Sequence, residues 1–289
     1  IHSDKGENQI LVSYINISNN IRLESEIQAH KLNDIKKAEF ISTLSHELKT
    51  PLNIFASSVQ LLDSFSDGDK EEFVYKYKKH SPYLALNCKR MLRLINNIID
   101  LTKIDVGMIK PNFGNYEIVS LIEEIALSTI PYGMSKNIDI EFDTNVEEHY
   151  IKCDPNMIEK IVLNLLSNAI KYSKNNGYIK INLILESDII RFIVSDNGIG
   201  IDEKIKGKIF DRFSRGDNSL NRLNEGSGVG LSIVKSMIDI HNGNVTVESV
   251  LGKGSTFEVQ LPNIKIEDEL EEIYEYNRDK TVLELSDIY

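Results

Sequence analysis

The chain has 289 residues, a formal net charge of −11, and 41% hydrophobic against 27% charged residues, which is room for about two domains of ordinary globular composition and excludes a disordered chain. The acidic excess argues against a broadly basic binding face, so no nucleic acid is expected as a partner. The excess is also uneven: residues 263–289 hold nine acidic and three basic side chains, a net of −6, which leaves −5 for the other 262.

Cys88 and Cys153 are the two cysteines, with no Cys or His near either at metal-ligand spacing. A disulfide framework and a structural zinc site are therefore excluded, and a reducing, cytoplasmic setting is expected. No apolar run approaches the roughly 18 residues that span a bilayer. The chain opens on Ile1 rather than Met, so it reads as a fragment whose membrane attachment, if any, lies elsewhere in a longer protein.

In chain order, Ile10-Leu-Val-Ser-Tyr-Ile-Asn-Ile17 has the β-branched and aromatic enrichment of a strand. From Ile21 the pattern turns helical. Ile41, Leu44, Leu48, Leu52, Phe55, Val59 and Leu62 recur at three- and four-residue spacings, a coiled-coil-like stripe. Ser66-Asp-Gly-Asp69 breaks it, and Asp67 or Asp69 is placed to cap a second helix over 70–103. There Tyr77, Leu84, Met91 and Ile98 repeat every seven residues beside Ser81, Cys88, Ile95 and Thr102. Two such helices carry more apolar stripe than one hairpin buries, which predicts a homodimer closing a four-helix bundle.

Gly107, Pro111 and Gly114 mark a linker. Beyond it the pattern predicts helices over 118–135, 155–172 and 230–241 and strands over 138–142, 178–185, 189–195, 244–250 and 256–261. Helices and antiparallel strands segregate, so the class is α+β. The expected organisation is a strand and charged helical linker over 1–32, a helical-hairpin domain over 33–106, a linker over 107–116, an α/β domain over 117–262 and a solvated acidic tail over 263–289.

The most specific segment is Phe40-Ile-Ser-Thr-Leu-Ser-His-Glu-Leu-Lys-Thr-Pro-Leu52. His46 sits two residues from both Leu44 and Leu48, about 160–200° around the helix from the stripe, and so faces solvent. A neutral imidazole is a competent phosphoryl acceptor near neutral pH. Glu47 can orient one ring nitrogen and take its proton, and Thr50, one turn on, can hold a water for the reverse hydrolysis. Pro51 removes one helical N–H and is placed to act as a hinge.

Downstream, Asn164, Asn168 and Lys171 share one face of an otherwise apolar helix. Amide oxygens suit Mg²⁺ and an ammonium suits phosphate. Asp196-Asn-Gly-Ile-Gly200 ends a strand with Gly198 and Gly200 free to pass close to a ligand, and the Asp196 carboxylate can accept from an adenine amino group. Gly226-Ser-Gly228-Val-Gly230 opens a helix and offers N–H groups to phosphate. It lacks the context of a Rossmann or Walker loop. Gly252-Lys-Gly-Ser-Thr256 suits a hairpin.

Over about residues 30–262 the chain resembles the transmitter module of two-component sensor histidine kinases. The His46 segment is similar to that family's phosphoacceptor box, 164–173 to its asparagine box, 196–200 and 226–230 to its glycine boxes, and Phe210-Asp-Arg-Phe213 to its phenylalanine box. The resemblance implies a dimeric phosphoacceptor hairpin followed by a Bergerat-type ATP-binding domain, with His46 phosphorylated from ATP and Mg²⁺ held by Asn168 with Asn164. It also implies Lys171 on phosphate, Tyr172, Phe210 and Thr256 near the nucleotide, 214–227 as a lid, and a response-regulator receiver domain as partner. Lys160 stands where Gln is common and Met157 where Arg is common. Residues 10–21 and the charged helix after them look like the end of a PAS sensor domain.

Overall fold

The computed structural model describes residues 4–65, 69–211 and 228–288. It divides into two units, residues 1–46 and 47–289. From Asp4 onward the first belongs to helix α1 (Asp4–Ser64), so helix stands where a strand was expected over 10–17. Ile10, Tyr14, Ile17 and Ile21 are spaced by four, three and four residues, a helical repeat whose β-branched content yields to the continuing helix, because strand propensity depends on having a sheet to join. Pro51 lies inside α1, buried, and the helix continues through it.

In the second unit, α2 (Lys70–Asp105) starts where the Asp69 carboxylate accepts the Glu71 N–H at 3.3 Å. The alternative cap, Asp67, lies outside the described residues. Leu52, Phe55 and Val59 of α1 and Tyr77, Leu92 and Ile95 of α2 are exposed. Among the described residues no helix is long and apolar enough to cross a membrane.

The remainder is a layer of helices on a five-stranded sheet of order β2-β4-β5-β7-β6, built from β2 (Asp139–Thr144), β4 (Tyr178–Leu185), β5 (Ile189–Asp196), β6 (Asn244–Val250) and β7 (Gly254–Pro262). All neighbours are antiparallel except β2 and β4, which run parallel. Ile179, Ile181 and Leu183 on β4 and Ile190, Phe192 and Val194 on β5 alternate into the core, as a sheet covered on one face requires. They meet α3 (Ile118–Met134), α4 (Pro155–Tyr172) and α6 (Gly230–Ile240), whose Ile122, Ile125, Leu165, Leu166, Ile233 and Val234 are all but inaccessible. Each of α3 and α4 is fixed at its start by a carboxylate: Glu117 accepts from the N–H groups of Val119 and Ser120, and Asp154 from those of Asn156 and Met157.

A second sheet, of order β3-β1-β8, was not legible in the sequence. It joins β1 (Gly114–Glu117), β3 (Tyr150–Cys153) and β8 (Glu271–Glu272). β1 and β3 pair antiparallel, whereas β1 and β8 pair parallel. The acidic tail expected in solvent thus enters the fold. The Asn115 side chain donates to the carbonyls of Ile266 and Glu269 and accepts the Ile266 N–H at 2.8 Å. The tail ends in α7 (Arg278–Glu284), beyond which Leu285 and Ile288 are buried. Apolar residues repay the ordering of an acidic segment here, since burying one Leu is worth about 1.5–3 kcal/mol.

Candidate active site

His46 is exposed on α1 and Glu47 half-buried beside it; Thr50, one turn on, is exposed. That is the disposition expected from the heptad stripe, with Leu44 buried on another face.

In the second unit the remaining candidates sit on α4, the start of α6, the turn after β5, β7 and the segment at Phe210. Asn164 is buried on α4, donates to the Lys160 carbonyl at 2.9 Å, and turns its side-chain oxygen toward Gly230, the first residue of α6. A Cβ at Gly230 would lie 2.6 Å from that oxygen. Glycine is therefore needed for the helix start to approach the amide. Among the described residues, the N-cap position of α6, Val229, offers no side-chain hydrogen bond to the helix start, and free N–H groups at a helix start suit an anion. Gly228 adopts φ +65°. Gly226 and the lid segment lie outside the described residues. Asn168 is half-buried one turn beyond Asn164, and the Lys171 ammonium lies 5.7 Å from the centroid of the Tyr172 ring.

The carboxylate of Asp196 accepts the Gly198 N–H at 2.8 Å, turning the chain sharply after β5. Burial raises its pKa above the ordinary carboxylate range, while N–H donation from Gly198 and Ser255 pulls the other way. Gly198 and Gly200 were expected to let a ligand approach. Instead their bare α-carbons let backbone approach: a Cβ on Gly198 would come 2.3 Å from the Tyr172 carbonyl, and one on Gly200, at φ +68°, 2.1 Å from that of Val250. The Ile199 N–H donates to the Tyr172 carbonyl at 3.1 Å, tying this loop to the end of α4. Thr256 faces Ser195 across β5 and β7, their hydroxyls 3.0 Å apart, and Phe210 stands edge-on to Phe257 with centroids 6.3 Å apart.

Behind the site is a contact that the sequence reading missed. His241, which it took only as the end of a helix, is buried, places Nδ1 2.7 Å from the Met237 carbonyl and accepts the Asp154 N–H on Nε2 at 3.1 Å. This fixes the neutral tautomer with Nδ1 as donor, and burial lowers the imidazole pKa. Phe113 packs edge-on against the ring. No motif marks such a histidine, since its partners are backbone groups, one a helical turn back at Met237 and one on the distant Asp154.

Residues 153–265 match the family model of histidine kinase-, DNA gyrase B- and HSP90-like ATPases, and residues 36–107 match that of the His kinase A phosphoacceptor domain. The sensor histidine kinase WalK of Bacillus subtilis is 32% identical over 237 residues, 79% of this chain and 37% of WalK. The circadian input-output histidine kinase CikA of Synechococcus elongatus is 32% identical over 234 residues, 78% of this chain and 30% of CikA. Among solved structures, full-length ShkA in complex with AMPPNP superposes with a TM-score of 0.59 at 25% identity, covering 78% of this chain and 46% of ShkA. The chain thus spans about a third of the length of the curated relatives it matches. With a phosphoacceptor helix pair and an ATPase sheet in the same order as in these relatives, the chain belongs to the two-component sensor histidine kinases.

Proposed function

We propose that this chain is an ATP-dependent protein-histidine kinase that takes the γ-phosphoryl group of ATP onto His46 and passes it to an aspartate of a response-regulator receiver domain. The observation that carries this reading is the approach of the Asn164 side-chain oxygen to the start of α6, for which the missing side chain at position 230 leaves room; His46 is itself exposed on α1. In the transfer one imidazole nitrogen attacks phosphorus, the P–N bond forms as the bond to the ADP oxygen breaks, and Glu47 takes the ring proton. Asp196 accepts from the adenine amino group, and Lys171 and the N–H groups at the start of α6 hold the phosphate chain.

The donor set also fits a hard cation. Asn164 and Asn168 would hold Mg²⁺ through their amide oxygens, and the ion, when bound, neutralises charge on the phosphates. The exposed apolar rows of α1 and α2 are the seam of a homodimer. Thr50, one helical turn from His46, positions a water for dephosphorylating the regulator.

Incubation with γ-labelled ATP tests the reading. Acid-labile label is expected on the wild-type chain and absent from His46→Gln, whereas undiminished labelling of that variant would overturn it. Thr50→Ala is expected to slow phosphate release from a labelled regulator while sparing self-labelling.

A further inference from the structure

The tail is held to the ATPase layer by burial and by hydrogen bonds: Thr281, Leu285 and Ile288 are nearly inaccessible, and the Thr281 hydroxyl lies 2.9 Å from that of Ser128 on α3. Lys280 and the Tyr274 hydroxyl both donate to the buried Glu159 carboxylate of α4, at 2.8 and 3.0 Å. These contacts make the tail a fixed part of the ATPase layer.

Toward α2 the attachment is charge. Arg93 donates from Nε to Glu284 at 3.0 Å and from Nη1 to Asp287 at 2.5 Å, and Arg90 donates to the Ser286 carbonyl at 3.1 Å. Lys160 of α4 reaches Asp100 of α2 directly and lies 3.9 Å from Glu284. Lys160 is the residue that departs from the usual Gln of this helix, and here it serves the junction with α2. Between α2, α4 and α7 lies an open cavity of about 450 Å³, lined by Ile99, Lys103, Leu163, Lys280 and Leu283 among others. A junction of ion pairs around a gap parts more readily than a close-packed one, because water and salt can replace its contacts.

We propose that residues 278–288 are an intramolecular clasp, anchored by burial on the ATPase layer and closed by Arg90 and Arg93 on α2, that restrains α4 and so slows self-phosphorylation until it opens. The proposal rests on the kinase reading above. Asn164, Asn168 and Lys171 are on the clasped helix, so a nucleotide bound there reaches the phosphoacceptor only by a movement that carries α4 with it. A tie between α4 and α2 opposes that motion.

The test uses the full chain and two readouts. In Arg93→Glu, hydrogen exchange is expected to rise over 278–288 and along α2 around position 93. The rate of self-phosphorylation should rise about threefold or more, the change produced by removing a bias of that size from a two-state equilibrium. Combining Arg93→Glu with Glu284→Lys and Asp287→Lys should restore both, and the milder Arg93→Gln should shift both in the same direction without a charge reversal. Faster exchange with an unchanged or reduced phosphorylation rate would overturn the restraint, and unchanged exchange would overturn the clasp itself. Hydrogen exchange needs no turnover, so a chain that fails to label at all would count against the kinase reading while the clasp was still measured.

Discussion

At Gly230 a single missing methyl group leaves room for two parts of the proposed nucleotide site to meet. In an exposed helix Gly→Ala stabilises by up to about 1 kcal/mol. Here the added Cβ would press within 2.6 Å of the Asn164 oxygen and displace it. Gly230→Ala is therefore expected to keep the fold and weaken ATP binding by about tenfold or more, the loss of roughly one charge-assisted contact, as read by calorimetry. His241 carries a pH signature. Its pKa is lowered in the folded chain, so between that value and the unfolded value of about 6.5 the unfolded state binds more protons and stability falls as pH drops through the window. Melting temperatures measured from pH 7.5 down to 5.5 should decline in the wild type and decline less in His241→Gln. A slope unaffected by the substitution would assign the acid sensitivity elsewhere.

Among the elements, those with a strong period were readable and those made by tertiary pairing were not. α4, β4 and β6 fall on the residues the pattern predicted, and β5, α2 and α6 differ from prediction by no more than two residues at an end, because each carries either a clean alternation or an apolar stripe closed by a cap. β1, β3 and β8, of four, four and two residues, have too few positions to show a period. The misreading of 10–17 came from composition overriding spacing. At the site, α4 and the glycine loops were legible as motifs, but the reason for Gly198 and Gly200 was not: a sequence does not reveal that the space beside a glycine is taken by the Tyr172 and Val250 carbonyls. The tail was misjudged through its charge, although Leu283, Leu285 and Ile288 stand among the acids. Because Leu285 is fully buried, Leu285→Ala is expected to cost about 2–4 kcal/mol in denaturant unfolding; a solvated tail would show no change.

For the whole molecule, the exposed apolar rows on α1 and α2 require a cover. Ile95 is about 40% exposed, so in the proposed dimer Ile95→Asp would place a carboxylate in the seam and is expected to shift sedimentation from dimer to monomer at micromolar concentration. An unchanged sedimentation profile would move the seam to another face. The charge distribution also acquires a different meaning at this scale. The −6 carried by residues 263–289 is partly offset inside the fold, where Glu284 and Asp287 face Arg90, Arg93 and Lys160.

The parallel pairing of β8 with β1 has a consequence for solubility. β1 is the middle strand of its sheet only because Glu271 and Glu272 lie along it opposite Asn115 and Tyr116. Without them it would present a row of unpaired N–H and C=O groups, the kind of open border along which separate chains add strand to strand. The tail therefore also acts as a selvedge, finishing the cloth of the small sheet so that copies of the protein do not knit together.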